Sequence, residues 1–405
     1  MTAPTLPLAG LRVLELGNFI AAPTAGRLLA DFGAEVVKVE RPKSGDELRR
    51  WRLHAGTTSM LYRTINRNKL SVALDLRSDV GREAVLQMVA HCDAVIENFR
   101  PGTLERWGLG PDELRAVKPD LVMARISAFG QTGPRAQEPG FAAVAEAVGG
   151  LRAVVGDPDR PPVRTGISIG DTLAGLYAAF GVVTALLAAQ RAEGAVTAAT
   201  VDVALTEAVL SVMESLVPDY VAHGVERQRL GGLTEGVAPS NSYPCAAGGT
   251  VVIAGNGDAI FKRFMELIDR PDLRDDPDLV TNDRRWRRRV ELDEAIAAWT
   301  GQRQRDDVLG VLEAAGVPAG PIYSACDIIN DKQFQARGMV QYFPVAGVDV
   351  PEVGFPGVVP VLGDESLPIR HVGPDLGEHT AEVLTRLTNL PADVVAELMD
   401  EGIAR

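Results

Sequence analysis

At 405 residues the chain has room for two or three domains and can bury a full core without disulfide or metal staples. Its 46% hydrophobic and 23% charged residues fit a globular protein and exclude a mainly disordered one. A net charge of −13 argues against a general nucleic-acid or anionic-membrane binder, although a local basic patch can still hold an anion.

Three cysteines, Cys92, Cys245 and Cys326, lie far apart without C-x-x-C, which fits a reducing compartment and excludes a cysteine zinc site. The five histidines show no metal-ligand spacing, so no metal is expected. The segment MTAPTLPLAG lacks the charged and apolar regions of a signal peptide, and the expected location is cytoplasmic.

In chain order, LRVLELG, PTAGRLLADFG and AEVVKVE read as strand, helix and strand. Strand-like runs follow at 70–76, 93–99 and 121–130, with helical stretches between them, the pattern of a parallel sheet covered on both faces. The uncharged run Thr172–Ala189 reads as a core helix buried between layers rather than a membrane span. VDVALTEAVLSVMESLV reads as a second helix. Beyond about Pro218 the chain turns rich in Gly, Pro and Ser, and residues 231–241 suggest a closing loop. A smaller unit follows: strand TVVIAGN, helix DAIFKRFMELI, and helices near 290–300 and 305–316. GVDVP and GVVPVL are short strand-like pieces, and a closing helix is expected over 377–388.

The first β-α-β unit invites a dinucleotide site with Glu40 as the ribose acid, but its turn lacks G-x-G-x-x-G. NDRRWRRRVEL carries five arginines, and its flanking acids favour a self-compensated helix start over a phosphate patch. Residues 38–77 hold ten basic side chains against four acids, a local +6 that suits a polyphosphate ligand as well as a plain surface. Arg41 and Arg77 each follow an expected strand, where such sheets present ligand contacts. Asp171 opens the apolar helix; it suits an N-cap, and also an ionised nucleophile held by the helix dipole.

Blocks along nearly the whole chain resemble the class III CoA-transferases, the formyl-CoA transferase and carnitine CoA-transferase family. They run from PLAGLRVLELGNFIAAPTAGRLLADFGAEVVKVERP through NRNKLSVALDL, AVIENFRPGTLERWGL, ISAFGQTGP, GDTLAGLYAAFGVVTALL and VDVALTEAVLS to AAGVPAGPI and LGEHTAEVL. The resemblance implies Asp171 as the nucleophile, forming an aspartyl-acyl anhydride and then an aspartyl-CoA thioester. It implies CoA contacts at Arg41, Leu74, Arg77, Asn98, Phe99 and Arg106, with Ile20 and Ala21 at the thioester. The formyl-CoA enzyme has glutamine where Ile20 stands here. Coenzyme A is then a substrate, as an acyl-CoA exchanging with a free carboxylic acid, and no prosthetic group is implied.

The implied architecture is α/β: a large Rossmann-like parallel-sheet domain (1–215 and 335–405), a small domain with linkers (216–334), and an interlocked homodimer. A heteromer with a related subunit is the alternative assembly. Racemases of the same superfamily carry a histidine where this chain has Phe141, which favours transfer over α-methylacyl-CoA racemisation; a catalytically silent CoA-binding partner is the third reading. GVAPSNSYP looks most like members using succinyl-CoA and small dicarboxylic acids.

Overall fold

A computed structural model describes residues 6–192, 198–364 and 366–405. The chain divides into two compact units. The first comprises Met1–Leu151, Thr165–Glu214 and Asp331–Arg405; the second comprises Arg152–Arg164 and Ser215–Asn330.

The first unit is built on six parallel strands: β1 (Arg12–Glu15), β2 (Glu35–Glu40), β3 (Lys69–Ala73), β4 (Ala94–Glu97), β5 (Val122–Ser127) and β6 (Thr200–Ala204), in the order β3-β2-β1-β4-β5-β6. Successive side chains point to opposite faces. Leu14, Val37, Val95 and Met123 therefore enter one core with helix α2 (Asp79–Val89), while Val13, Val36, Ile96 and Ala124 enter the other with helix α1 (Ala21–Asp31). β6 covers the N-terminal part of the run expected to be wholly helical: VDVA extends, Leu205–Leu210 coils, and a further helix, Leu216–His223, takes only its last two residues.

The long apolar helix α4 (Ile169–Arg191) follows a short α3 (Ala142–Val148) and precedes α5 (Leu205–Leu210). Gly170, Ala174, Gly175, Ala178 and Val182 are buried. The expectation of a helix covered on all sides is not met within the chain: Leu176 is 51% exposed, Phe180 68% and Leu187 43%. By length and composition alone, α4 is the one described helix apolar enough to cross a membrane. The C-terminal part of this unit adds a hairpin, Val340–Phe343 with Val353–Pro356, in place of the expected pieces GVDVP and GVVPVL. Helices Thr380–Leu387 and Ala392–Asp400 then pack on the α2 face.

The second unit has a three-stranded antiparallel sheet, with Thr250–Ala254 between Ser240–Pro244 and Ala319–Pro321. Phe261, Phe264, Leu292, Ile296, Val308 and Leu312 form its core from helices Asp258–Leu267, Arg289–Thr300 and Arg305–Ala314.

Candidate active site

The strand order of the large sheet reverses between β1 and β4, and the segments leaving β1 to β4 surround a cleft of about 330 Å³. Arg41, Leu74, Arg77, Asn98 and Phe99 all line it. Arg106 does not; its guanidinium bonds Thr103 Oγ1 at 3.0 Å. Ile20 and Ala21 are buried at the start of α1, whose first turn has no side-chain cap. Asp171 lies outside the cleft lining, half-buried in the first turn of α4. One turn further on, a Cβ at Gly175 would stand 2.7 Å from the Ala21 carbonyl oxygen, so only glycine allows the two helix starts to touch. Asp171 thus lies one helical turn before the residue of α4 that meets Ala21.

Three expectations change. Ser168, not Asp171, is the N-cap position of α4; Asp171 is its third residue and keeps the favourable end of the dipole without being the cap. The basic excess at 38–77 is not one surface patch, because Lys38, Arg49, Arg63, Arg67 and Lys69 are buried. Arg41 and Arg77 are exposed, each paired with a local acid, Glu47 and Asp75. Finally, the Asn98 amide is already engaged: Oδ1 accepts from the Asn18 amide at 2.8 Å, and Nδ2 donates to the Asn18 carbonyl at 2.8 Å. Each end of that amide keeps one further hydrogen-bonding position, and Asn98 lines the cleft.

The buried cations Lys38, Arg49 and Lys69 form an ion-pair network with Glu15 and Glu40 of the sheet. Lys38 Nζ donates to Glu15 Oε1 at 2.9 Å and to the Gly17 carbonyl at 2.7 Å. Lys69 Nζ donates to Glu15 Oε2 at 2.7 Å, the Pro23 carbonyl at 2.7 Å and Asn66 Oδ1 at 2.8 Å. Glu40 takes both sides of the Arg49 fork at 2.7 and 2.8 Å, and also accepts from Tyr62 and Ser71. Burial opposes its charge, but Arg49 and Lys38 hold its carboxyl down at about 2. Burial lowers Lys69 to about 8 against the pull of Glu15. Burial alone would lower Lys38 too, but Glu15, Asp46 and Glu40 lift it above its ordinary value. On β4, burial raises Glu97 to about 7 despite its 2.8 Å bond from Arg125.

Sequence reasoning missed an aromatic set. Trp107 meets Phe99 edge-on at 5.2 Å, and both line the cleft. Phe19, another lining residue, packs against Trp51 at 5.6 Å and Phe141 at 5.8 Å. The position where racemases carry histidine therefore holds an apolar ring set edge-on against Phe19 of the β1–α1 turn. No spacing signal announces these contacts, which join residues 19, 51 and 141 across loops. Among the described residues no group of three or more His, Cys, Asp or Glu is arranged to hold a metal ion. In the second unit, the arginine run is self-compensated: Arg284, Arg287 and Arg288 pair with Asp278, Asp283 and Asp276. Arg285 is buried and bonds the Ala238 carbonyl at the end of the Gly-rich segment.

Residues 8–380 match the family model for CoA-transferase family III. The chain belongs to that family. As a family III CoA-transferase it is an enzyme that moves CoA from an acyl-CoA to a carboxylic acid. It is 46% identical to a succinyl-CoA–D-citramalate CoA-transferase of Chloroflexus aurantiacus, over 99% of this chain and 98% of the relative. It is 37% identical to the alpha subunit of a succinyl-CoA–L-malate CoA-transferase of Chloroflexus aurantiacus, over 98% of this chain and 92% of that protein. A crystal structure of a CaiB/BaiF family protein from Brucella suis superposes with a TM-score of 0.82 at 33% identity, covering 95% of this chain and all of that one.

Proposed function

We propose that this transferase moves CoA from succinyl-CoA to a small dicarboxylic acid, with Asp171 as the nucleophile. The Asp171 carboxylate attacks the thioester carbonyl and expels CoA thiolate, leaving an aspartyl-succinyl anhydride. The thiolate attacks the aspartyl carbonyl, releasing succinate and forming an aspartyl-CoA thioester. The acceptor carboxylate attacks that thioester to give a second anhydride, and the returning thiolate takes its acyl group, restoring the carboxylate. The anhydride keeps the activation of the thioester, so water must be kept away.

The observation that supports this reading is the close approach of α4 to the uncapped first turn of α1 at Gly175, one turn after Asp171. Free amides there suit an oxygen that becomes negative during attack. Arg41 and Arg77, which line the cleft, would meet the phosphate end of CoA, and Leu74, a buried residue of the lining, would back the adenine. The acceptor class rests on the relatives that act on D-citramalate and L-malate. A cytoplasmic homodimer completes the proposal. The uncovered apolar face of α4 supports association, and the relative named as an alpha subunit keeps pairing with a related chain in view.

The test is mass spectrometry after incubation with succinyl-CoA, with and without hydroxylamine. Wild type should gain an acyl, CoA or hydroxamate mass on the peptide bearing Asp171, and Asp171→Ala should gain none. The same adduct on Asp171→Ala refutes the nucleophile. Citramalate, malate, itaconate, mesaconate and formate compared as acceptors define the acid, and transfer to no dicarboxylate removes that class.

A further inference from the structure

We propose that Asp46 is a positioning residue that, with Lys38 and Asn98, locks the Gly17–Ala22 turn so that its backbone amides face the reacting thioester. The inference rests on the reading of Asp171 as the attacking group and adds the residues that hold the other side of the reaction. Phe19 has φ +63°, in the left-handed region that a bulky aromatic residue rarely adopts. Such a conformation survives only where the surroundings over-determine it.

Here they do, from three directions. Asp46 Oδ1 accepts from the Phe19 amide at 3.0 Å and from the Leu48 amide at 2.9 Å. Asn98, leaving β4, clasps the Asn18 amide and carbonyl. Lys38, on β2, donates to the Gly17 carbonyl and stands 2.9 Å from Asp46 Oδ2, an ion contact without hydrogen-bond alignment. At Gly17 a Cβ would lie 2.3 Å from Ala22 Cβ, so the turn has no slack. The polar grips fall on residues 17, 18 and 19, which leaves the amides of Ile20 and Ala21 at the open start of α1. A network serving only to neutralise buried charge would have no need to grip three successive residues of one turn.

The experiment compares Asp46→Ala with Asp46→Asn in the full chain, by steady-state transfer and thermal unfolding. Asp46→Ala should lower kcat by roughly 10²-fold, the scale of a small misplacement of reacting groups, with KM for the acyl-CoA changed less than about threefold. The Asn oxygen can still accept from Phe19 and Leu48 while its NH2 group replaces the oxygen facing Lys38, so Asp46→Asn should recover most of the kcat at a cost in thermal stability. If Asp46→Ala does not fold, Asn98→Ala, which frees Asn18, should show the same split between kcat and KM. A wild-type kcat in a folded Asp46→Ala or Asn98→Ala protein overturns the proposal, as does a loss that Asp46→Asn fails to relieve. The Asp171 adduct is followed separately. An unchanged adduct on Asp171→Ala removes that nucleophile, while kcat still decides the role of the turn.

Discussion

The ten cations of residues 38–77 divide evenly between two environments. Lys38, Arg49, Arg63, Arg67 and Lys69 lie inside; Arg41, Lys43, Arg50, Arg52 and Arg77 lie outside. The inner set is bonded to Glu15, Asp31, Glu40 and backbone carbonyls, and none of its five members lines the cleft. Of the outer set, Arg41 and Arg77 line the cleft, and on the proposed reading these two meet the phosphates of CoA. A buried charge is costly to orphan, whereas an exposed pair is worth about 0–1 kcal/mol. The same residue types therefore do unlike jobs, and substitutions should separate them.

The largest separation is expected at Glu15, whose two oxygens hold Lys38 and Lys69. Glu15→Gln leaves two buried ammonium groups short of a counter-charge, a loss of about 3–5 kcal/mol in urea unfolding. Glu47→Gln removes the half-buried partner of the exposed Arg41 and should change stability by less than about 0.5 kcal/mol. Equal losses would end the distinction between inner and outer cations.

Much of this was open to inspection in the sequence. The short apolar runs LRVLELG and AEVVKVE read as strands, and their alternation with helical stretches implies a parallel sheet covered on both faces. It follows that a charge inside such a strand is covered and needs a partner. Glu15, Lys38, Glu40, Lys69, Glu97 and Arg125 all lie within β1 to β5, so the inner network had a signal that a plain charge count over 38–77 averages away. Other features had none. Phe19 meeting Phe141, and Asn98 clasping Asn18, depend on how loops return. The open side of α4 is also silent in sequence, because apolarity all round does not say whether the covering surface belongs to the same chain.

A second test uses acid. Glu40 titrates at about 2, below its ordinary 4.5, because the grip of Arg49 and Lys38 outweighs the burial that opposes ionisation. A depressed carboxyl stabilises the fold above its unfolded pKa, and that stability is lost as pH falls from about 4.5 toward 2. The shift corresponds to about 3 kcal/mol. Glu40→Gln should be less stable at pH 7 and lose less on acidification, read by unfolding at pH 6, 4 and 3. An acid limb of unchanged depth in Glu40→Gln would assign the effect to other carboxyls.

The smallest effects belong to the outer set and should appear in binding rather than stability. Arg41→Ala and Arg77→Ala should each raise KM for the acyl-CoA about tenfold, which is about 1.4 kcal/mol per lost phosphate contact, with kcat nearly unchanged. Arg50→Ala, equally exposed but outside the cleft lining, should leave KM alone. Because Arg77 is held by Asp75 at 3.1 Å, a phosphate must first compete with that carboxylate. Asp75→Asn should therefore lower KM, and added salt should shrink the gap between it and wild type, since exposed charges are screened within about 10 Å at 0.1 M. If Arg77→Ala and Asp75→Asn moved KM in the same direction, Arg77 would be serving the fold of its turn. The phosphate end of CoA would then have to be sought elsewhere along the cleft.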